Sequence, residues 1–320
     1  MKVGVFSVLL SSEPFESVLD YFCGIGVRAV EVGTGAYPGN AHCDVDALLK
    51  SDKKCNAFLE AIASRDLTLS SLSCHGNPLH PNRAFARKHD EIFRKTVQLA
   101  KKIGHDVVTT FSGAPGGHPG ARQPNWVTCA WPPDYLEVLD YQWNKVAIPY
   151  WKKTAAFAAK HGVKVAFEMH PGFIVYNPET LLKLRKACGN NLGANFDPSH
   201  LFWQGIDPNL ALRELKNCVY HVHAKDTAIN QANTLRNGAL DTKHYGDELN
   251  RAWIFRTVGY GHGREFWNEF VSTLRMIGYD GALSVEHEDS LMSPREGLEK
   301  AVAFLNEVII HHKKGALSWA

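Results

Sequence analysis

Short apolar runs that each end in a potential metal ligand constrain the fold of this chain most. Three of them follow one another between residues 163 and 226, and a fourth lies nearer the C-terminus. The runs are 163–167 before Glu168, 192–196 before Asp197, 219–222 before His223 and 281–285 before Glu286. Such runs are typical of buried strands, and the helical patterns between them favour parallel βαβ units. Because parallel strands place their carboxyl ends on one face, we expect the four side chains to converge.

Strand and helix patterns alternate along the whole chain. Predicted strands occupy residues 3–8, 28–32, 68–74, 106–111, 163–167, 192–196, 219–222 and 282–285. Predicted helices include 45–65, 82–103 and 263–277, and others begin at Ser12, Asn177, Asp207 and Ser293 as caps. Eight such units without a linker predict an α/β fold, a single (β/α)₈ barrel over residues 1–320. The competing doubly wound sheet favours a GxGxxG turn after its first strand, which residues 7–13 lack.

Two connections are much longer than the others, and both begin at the carboxyl end of a strand. Residues 112–150 follow the fourth strand and are rich first in Gly and Pro and then in Trp and Tyr. Residues 227–263 follow the seventh strand and contain Tyr245 and Arg256. Barrel enzymes build their active sites from loops on this face. The aromatic residues suit stacking on a sugar, and equally a lid that packs on itself or on a neighbouring subunit.

Composition excludes several classes of function. The net charge is +2, and the basic residues are scattered apart from Lys313 and Lys314, so no nucleic-acid partner is expected. No apolar run is long enough to span a membrane, and the first strand begins almost at Met1, so we expect neither a membrane anchor nor a signal peptide. The 7 cysteines are dispersed without a CxxC pair. A reduced, cytoplasmic enzyme is the class that this cysteine pattern favours.

The four strand-end residues form an oxygen-rich ligand set with one nitrogen. Two glutamates, one aspartate and one histidine suit Mn²⁺, Co²⁺ or Mg²⁺, and such a set is less typical of structural Zn²⁺. A single carboxylate at a strand end often caps the next helix or pairs with an arginine. Four potential ligands at the corresponding ends of four strands favour a metal site.

The motifs resemble those of the xylose isomerase-like TIM-barrel superfamily. The resemblance lies in the order Glu, Asp, His, Glu at the ends of strands five to eight, the DxxH of Asp197 and His200, and the HxH that ends at His223. This superfamily includes sugar isomerases, ketose 3-epimerases, inosose dehydratases and endonuclease IV. The resemblance implies that Glu168, Asp197, His223 and Glu286 hold Mn²⁺ or Co²⁺. It also implies that the two glutamates transfer protons and that His200 contacts the substrate.

The chain departs from this family pattern at three points. Endonuclease IV has further histidines at strands three and four, whereas this chain has His75 but Phe111 at the corresponding ends, so a complete three-metal site and a DNA substrate are not expected. The epimerases carry an arginine shortly after the strand-seven histidine, whereas here Lys225 follows, and Arg256 could take that role. The long loops resemble a subgroup that acts on keto-sugars or glycosides and includes C-glycoside-cleaving lyases.

Several further residues are candidates with two readings each. His75 and His170 either contact the substrate or bind a loop carbonyl. Of His221 and His223 we expect only one to face the barrel interior, with His223 as the ligand. Glu31, at the end of strand two, is expected to form a salt bridge in helix packing rather than to support the site.

The ligand set predicts proton abstraction next to a carbonyl. A divalent ion can stabilise the resulting enediolate while a carboxylate takes the proton. We therefore expect a metal-dependent sugar isomerase or epimerase. A lyase on keto-glycosides and an inosose-type dehydratase share the same intermediate and stay open. So does a sugar-binding subunit without chemistry, and we expect the protein to form a homo- or hetero-oligomer.

Overall fold

Eight parallel strands close into a barrel in the computed structural model, which describes residues 1–312 and 315. Numbered along the chain, the strands are β1 Lys2–Phe6, β2 Ala29–Gly33, β3 Thr68–Ser73, β4 Val107–Thr110, β5 Lys164–Glu168, β6 Leu192–Phe196, β7 Val219–Ala224, β8 Asp226–Ile229, β9 Trp253–Arg256 and β10 Ala282–Val285. The barrel order is β1 to β7 followed by β10, which pairs with β7 and β1. The predicted TIM-barrel fold is thereby confirmed. Lys313 and Lys314 lie outside the described residues.

Helices connect the barrel strands. They are α1 Phe15–Gly24, α2 Val45–Lys50, α3 Asp52–Ala63, α4 Arg83–Ile103, α5 Asp134–Asp140, α6 Ile148–Lys160, α7 Pro178–Cys188, α8 Ser199–Phe202, α9 Pro208–Glu214, α10 Gln231–Asn237, α11 Arg264–Met276 and α12 Pro294–Val308. The predicted caps Asn177, Asp207 and Ser293 accept bonds from backbone amides of the first turn. Ser12 is not a cap, because α1 begins after Pro14. No helix of the described residues is both long and apolar enough to cross a membrane.

Two predicted elements are interrupted in the structure. The helix expected over residues 45–65 is broken at Ser51, whose hydroxyl accepts from the Lys54 amide and so caps α3. The first strand ends at Phe6 and is followed by a short 3₁₀ turn, Ser7–Leu10. Both differences arise from a local cap or turn that interrupts a continuous apolar pattern.

Apolar side chains on the barrel strands point away from the barrel axis into the apolar core, and polar side chains point into the barrel. On β2, Val30 and Val32 lie in the apolar core, whereas Glu31 between them contacts Ser73 and Ser284 on other strands of the barrel. Alternation of side chains along a strand produces this division. The barrel interior beneath the carboxyl face is therefore polar.

The connection after β7 contains an antiparallel hairpin that the sequence patterns did not predict. Its strands β8 and β9 pair from Asp226 with Arg256 to Ile229 with Trp253. Trp253 stacks on Trp203, with ring centroids 4.8 Å apart and planes inclined by 6°. The two uses expected for the aromatic residues were stacking on a sugar and packing as a lid. Trp253 serves the second, because it packs within the chain.

Gly193 in β6 offers a test of the strand packing. A Cβ at this position would overlap the carbonyl oxygen of Cys218 and the ring of Tyr220. Gly193→Ala is expected to lower the free energy of unfolding by about 1–3 kcal/mol, the usual cost of overpacking. The matched control is Gly24→Ala, because a Cβ on Gly24 meets nothing within 4 Å. Denaturant unfolding of both variants measures the effect, and equal stability of the two would contradict the register of β6 against β7.

Candidate metal centre

Four side chains converge at the carboxyl face of the barrel. Glu168 ends β5, Asp197 follows β6, His223 lies in β7 and Glu286 follows β10. One ligand-type atom from each lies within 4.8 Å of the others. The structure therefore brings together the four residues that the strand-end pattern singled out.

Two buried atoms of this group have no hydrogen-bond partner among the described residues. Asp197 accepts from the Ser199 amide through Oδ1 at 2.8 Å, while its Oδ2 accepts no hydrogen bond and lies 3.2 Å from Lys225 Nζ. His223 Nδ1 lies 3.2 Å from a carboxylate oxygen of Glu168 and 3.2 Å from one of Glu286, but without hydrogen-bond geometry. Buried polar atoms without a hydrogen bond lower the stability of the fold. A cation held between these atoms would satisfy both of them, so the donor set fits a divalent metal.

Glu168 is surrounded by imidazoles. His200 Nε2 donates to its Oε1 at 3.0 Å, and His75 Nε2 lies 3.0 Å from its Oε2. Burial would raise the pKa of Glu168, but the charge of His75 and the neighbouring His200 and His223 rings hold it well below its usual range. The carboxylate is therefore ionised and able to accept a proton or bind a cation.

Glu286 is paired with Lys225 instead. The ammonium Nζ lies 2.7 Å from Glu286, 3.2 Å from Asp197 and 3.0 Å from Glu288. Burial opposes the charge of Lys225, yet Asp197 and Glu286 raise its pKa well above the usual value. Burial likewise opposes the charge of Glu286, and Lys225 lowers its pKa. The two glutamates thus have different partners, imidazoles for one and an ammonium for the other.

A second polar cluster lies beneath the first and corrects two expectations. Glu31 is fully buried inside the barrel, and both of its oxygens lie 3.1 Å from His223 Nε2. His221 also faces inward, because residues two apart on a strand share a side. Burial opposes ionisation of Glu31, but His223 and His221 lower its pKa to about 2. A charged residue within the apolar run 29–32 was the signal that could have revealed it.

The remaining predicted site residues differ in their contacts. His170 donates through Nδ1 to the Pro171 carbonyl at 2.6 Å, its ring lies 4.1 Å from that of His200, and burial lowers its pKa to about 3. Arg256 donates through Nε to Asp289 at 3.0 Å and so holds the loop after β10. Its contact with a substrate stays a prediction.

A cavity of about 420 Å³ is lined by residues that contact the neighbours of the centre, with Glu288 beside Lys225 and His170 beside His200. Its lining residues are His170, Tyr245, Ile254, Phe255, Glu288 and Ser290. The Phe255 ring, contributed by the hairpin, lies 4.7 Å from Lys225 Nζ and 5.5 Å from the His200 ring. Phe255 and Glu288 were not singled out in the sequence, since neither belongs to a ligand motif.

Asp226 fixes the segment that carries this aromatic wall. Its fully buried carboxylate accepts from the amides of Thr227, Gly259, Gly261 and His262 and from His262 Nδ1, at 2.7–3.2 Å. A sixth donor, Trp267 Nε1, lies at 3.3 Å. These bonds tie both ends of residues 227–262 to the end of β7.

The fold and the centre define a (β/α)₈ barrel with a candidate metal site at the carboxyl ends of its strands. The sequence profile of the xylose isomerase-like TIM barrel family matches residues 24–308. The chain belongs to that family, which confirms the resemblance inferred from the motifs.

Two relatives illustrate the range of similarity in sequence. The uncharacterized protein YfiH of Bacillus subtilis (strain 168) is 42% identical over 312 residues, which cover 97% of this chain and 99% of YfiH. Inosose dehydratase of Clostridium perfringens (strain 13 / Type A) is 27% identical over 161 residues, which cover 48% of this chain and 51% of the dehydratase.

Solved structures of low sequence identity share the fold. The probable 3-DHS dehydratase AsbF from Bacillus anthracis superimposes with a TM-score of 0.66 at 15% identity, covering 96% of this chain and 99% of AsbF. A D-tagatose 3-epimerase-like protein gives a TM-score of 0.63 at 21% identity, covering 96% of this chain and 98% of the other. Epimerase-like and dehydratase-type proteins are thus both among the structural neighbours.

The bonds to Asp226 make a prediction for the segment 227–262. Asp226→Asn keeps one acceptor oxygen and turns an NH₂ group towards several donors. Since hydrogen bonds to a charged group contribute about 1.5–3 kcal/mol, opening of the segment and tryptic cleavage within it are expected to accelerate at least about tenfold. The matched control is Glu265→Gln, at an exposed position of α11. Cleavage of Asp226→Asn at the rate of the unmodified chain would show that the carboxylate does not hold this segment.

Proposed function

We propose that this chain is a divalent-metal-dependent enzyme that removes a proton from the carbon next to a carbonyl of a sugar or keto-glycoside, with epimerisation or isomerisation as the outcome. The convergence of Glu168, Asp197, His223 and Glu286, with two buried atoms that make no hydrogen bond, supports it most. The carboxylate oxygens of Glu168, Asp197 and Glu286 are donors that a divalent cation prefers. The ligand types favour Mn²⁺, with Co²⁺, Mg²⁺ and Zn²⁺ as alternatives.

The reaction would use the two glutamates as the proton-transfer groups. A bound divalent ion would supply stabilisation of the negative charge that develops on oxygen as the proton leaves. Glu168 is ionised among its imidazoles, so its carboxylate has a free lone pair with which to take the proton. Glu286 lies across His223 from Glu168, each 3.2 Å from Nδ1, so the two carboxylates flank one position. His200 and His75 would hold substrate hydroxyls beside Glu168.

The cavity suits a small polyhydroxylated ketone. A volume of about 420 Å³ lies in the usual range for small-molecule sites. Its lining combines the aromatic rings of Tyr245 and Phe255 with the polar side chains of His170 and Glu288. The apolar face of a sugar ring would pack on the aromatic side chains, and its hydroxyl groups would bond to the polar ones.

Dehydration is a second candidate, favoured by the position of Lys225. Its protonated ammonium lies 2.7 Å from Glu286 and makes the two glutamates unequal, whereas an epimerase uses two carboxylates in equivalent roles. After Glu168 takes the proton, the electron pair of the C–H bond would form a C=C bond while the C–O bond breaks. Lys225 would give its proton to the departing hydroxide, which leaves as water. The 27% identity to inosose dehydratase agrees with this branch.

Metal dependence is the first expected property. Chelation should abolish turnover, and Mn²⁺ or Co²⁺ should restore it better than Ca²⁺, because one ligand is an imidazole. Asp197→Ala should lose the bound ion, measured as metal content after dialysis. Asp134→Ala, at an exposed position of α5, is the matched control and should retain it. Full turnover in a metal-free sample would refute the proposal.

The two glutamates make the second prediction, which also distinguishes the reaction branches. In Glu168→Gln and Glu286→Gln the metal should largely remain, while turnover falls about 10²- to 10⁴-fold, the usual contribution of general acid–base catalysis. Solvent-deuterium incorporation is measured over ketoses, inososes and keto-glycosides. If Glu286→Gln alone still exchanges deuterium, Glu168 is the abstracting base.

The product identifies the branch. An epimer or isomer supports the first candidate, whereas an unsaturated ketone, detected by its ultraviolet absorption, supports dehydration. If both variants turn over and exchange deuterium like the parent, the roles assigned to the two glutamates are contradicted. His75, His170 and His200 are then the next residues to test.

A further inference from the structure

The histidine in the ligand set can bind a cation through only one of its ring nitrogens at a time. A neutral imidazole carries a hydrogen on one nitrogen and a lone pair on the other, and the hydrogen bond at the far nitrogen decides which is which. His223 presents Nδ1 to Glu168 and Glu286, whereas Nε2 faces into the barrel. The group that meets Nε2 therefore decides whether Nδ1 is available as a ligand.

That group is the carboxylate of Glu31. Both of its oxygens lie 3.1 Å from Nε2, and the side chain is fully buried. Ser284 donates to it at 2.6 Å, Thr109 at 3.4 Å, and Ser73 donates as well. Every neighbour in this set is a donor, so Glu31 is arranged as an acceptor. An ionised carboxylate has no hydrogen to give, and Nε2 must then carry one.

Asn195 also lies near Nε2, and its orientation is fixed by other contacts. His221 Nδ1 lies 2.9 Å from Asn195 Oδ1, which turns the Asn195 NH₂ group the other way. This NH₂ group donates to Glu168 at 3.3 Å and lies 3.2 Å from His223 Nε2. One amide hydrogen of Asn195 is thus bonded to Glu168, and the atoms nearest to Nε2 are the two carboxylate oxygens of Glu31.

We propose that Glu31 is a positioning residue that fixes His223 with its hydrogen on Nε2 and so presents the Nδ1 lone pair to the metal. This inference rests on the proposed metal-dependent function. Carboxylates that orient a metal-binding histidine typically change metal affinity 10- to 100-fold when they are removed.

A competing assignment is a second cation site. Glu31, His221 and His223 offer ligand atoms within 4.8 Å of one another. Such a site would need the lone pair of Nε2, which the proposed arrangement assigns to a hydrogen. The two assignments therefore exclude each other.

Histidine ¹⁵N NMR of the metal-free full-length chain tests the proposal without turnover. At a pH high enough for the ring to be neutral, His223, assigned by the loss of its signals in His223→Asn, should show the Nε2–H form in the parent. In Glu31→Gln the Nδ1–H form should appear, because an amide can donate to Nε2. Glu31→Asp keeps the carboxylate and should retain the Nε2–H form. An Nδ1–H form in the parent, or no difference between parent and Glu31→Gln, would overturn the proposal.

Co²⁺ titration followed by its visible absorption supplies the second measurement. The parent should bind one equivalent, Glu31→Gln should bind about 10- to 100-fold more weakly, and Glu31→Asp should lie between them. Glu60→Gln, the same change at an exposed position, should bind like the parent. Two equivalents in the parent, with one lost in Glu31→Gln, would establish the second-cation site instead. If the parent binds no Co²⁺, the proposed function is refuted, while the NMR result still decides the role of Glu31. If Glu31→Gln does not fold, the NMR spectra of the parent and of Glu31→Asp decide that role.

Discussion

The burial of several carboxylates at one end of the barrel is the constraint on which the rest of the site depends. Glu31, Glu168 and Asp197 are almost completely inaccessible to solvent. Buried charges are costly unless they are paired. The structure pairs them with the imidazole of His75 after β3, with that of His223 in β7, with Lys225 and with hydroxyl groups inside the barrel. Two buried atoms, Asp197 Oδ2 and His223 Nδ1, still make no hydrogen bond, and a cation fits between them.

Much of this arrangement could be predicted from the sequence, because it follows from local patterns. Apolar runs that end in Glu168, Asp197 and Glu286 fix both the strands and the face at which these residues meet. The hairpin was missed because its two short strands are separated by residues 230–252 and pair across that long connection. Glu31 was missed because its partners lie on other strands, and the orientation of His221 was wrong because residues two apart share a side of a strand.

The centre is asymmetric, and this asymmetry bears on the chemistry. Glu168 lies among imidazoles, whereas Glu286 is paired with an ammonium. Epimerisation uses the two carboxylates in matching roles, while dehydration needs a base and a separate acid. The same asymmetry extends to the walls of the cavity, where Phe255 from the hairpin covers Lys225 and His200. The segment held by Asp226 therefore shapes the side of the centre on which a leaving group would be protonated.

Anomalous diffraction from crystals grown with Mn²⁺ tests the central claim most directly. The account predicts one strong peak at the carboxyl face, within about 2.0–2.3 Å of atoms from Glu168, Asp197, His223 and Glu286. The nitrogen bonded to the ion should be Nδ1 of His223. No peak at this position under saturating Mn²⁺, or an ion between Glu31 and His221 instead, would contradict the account.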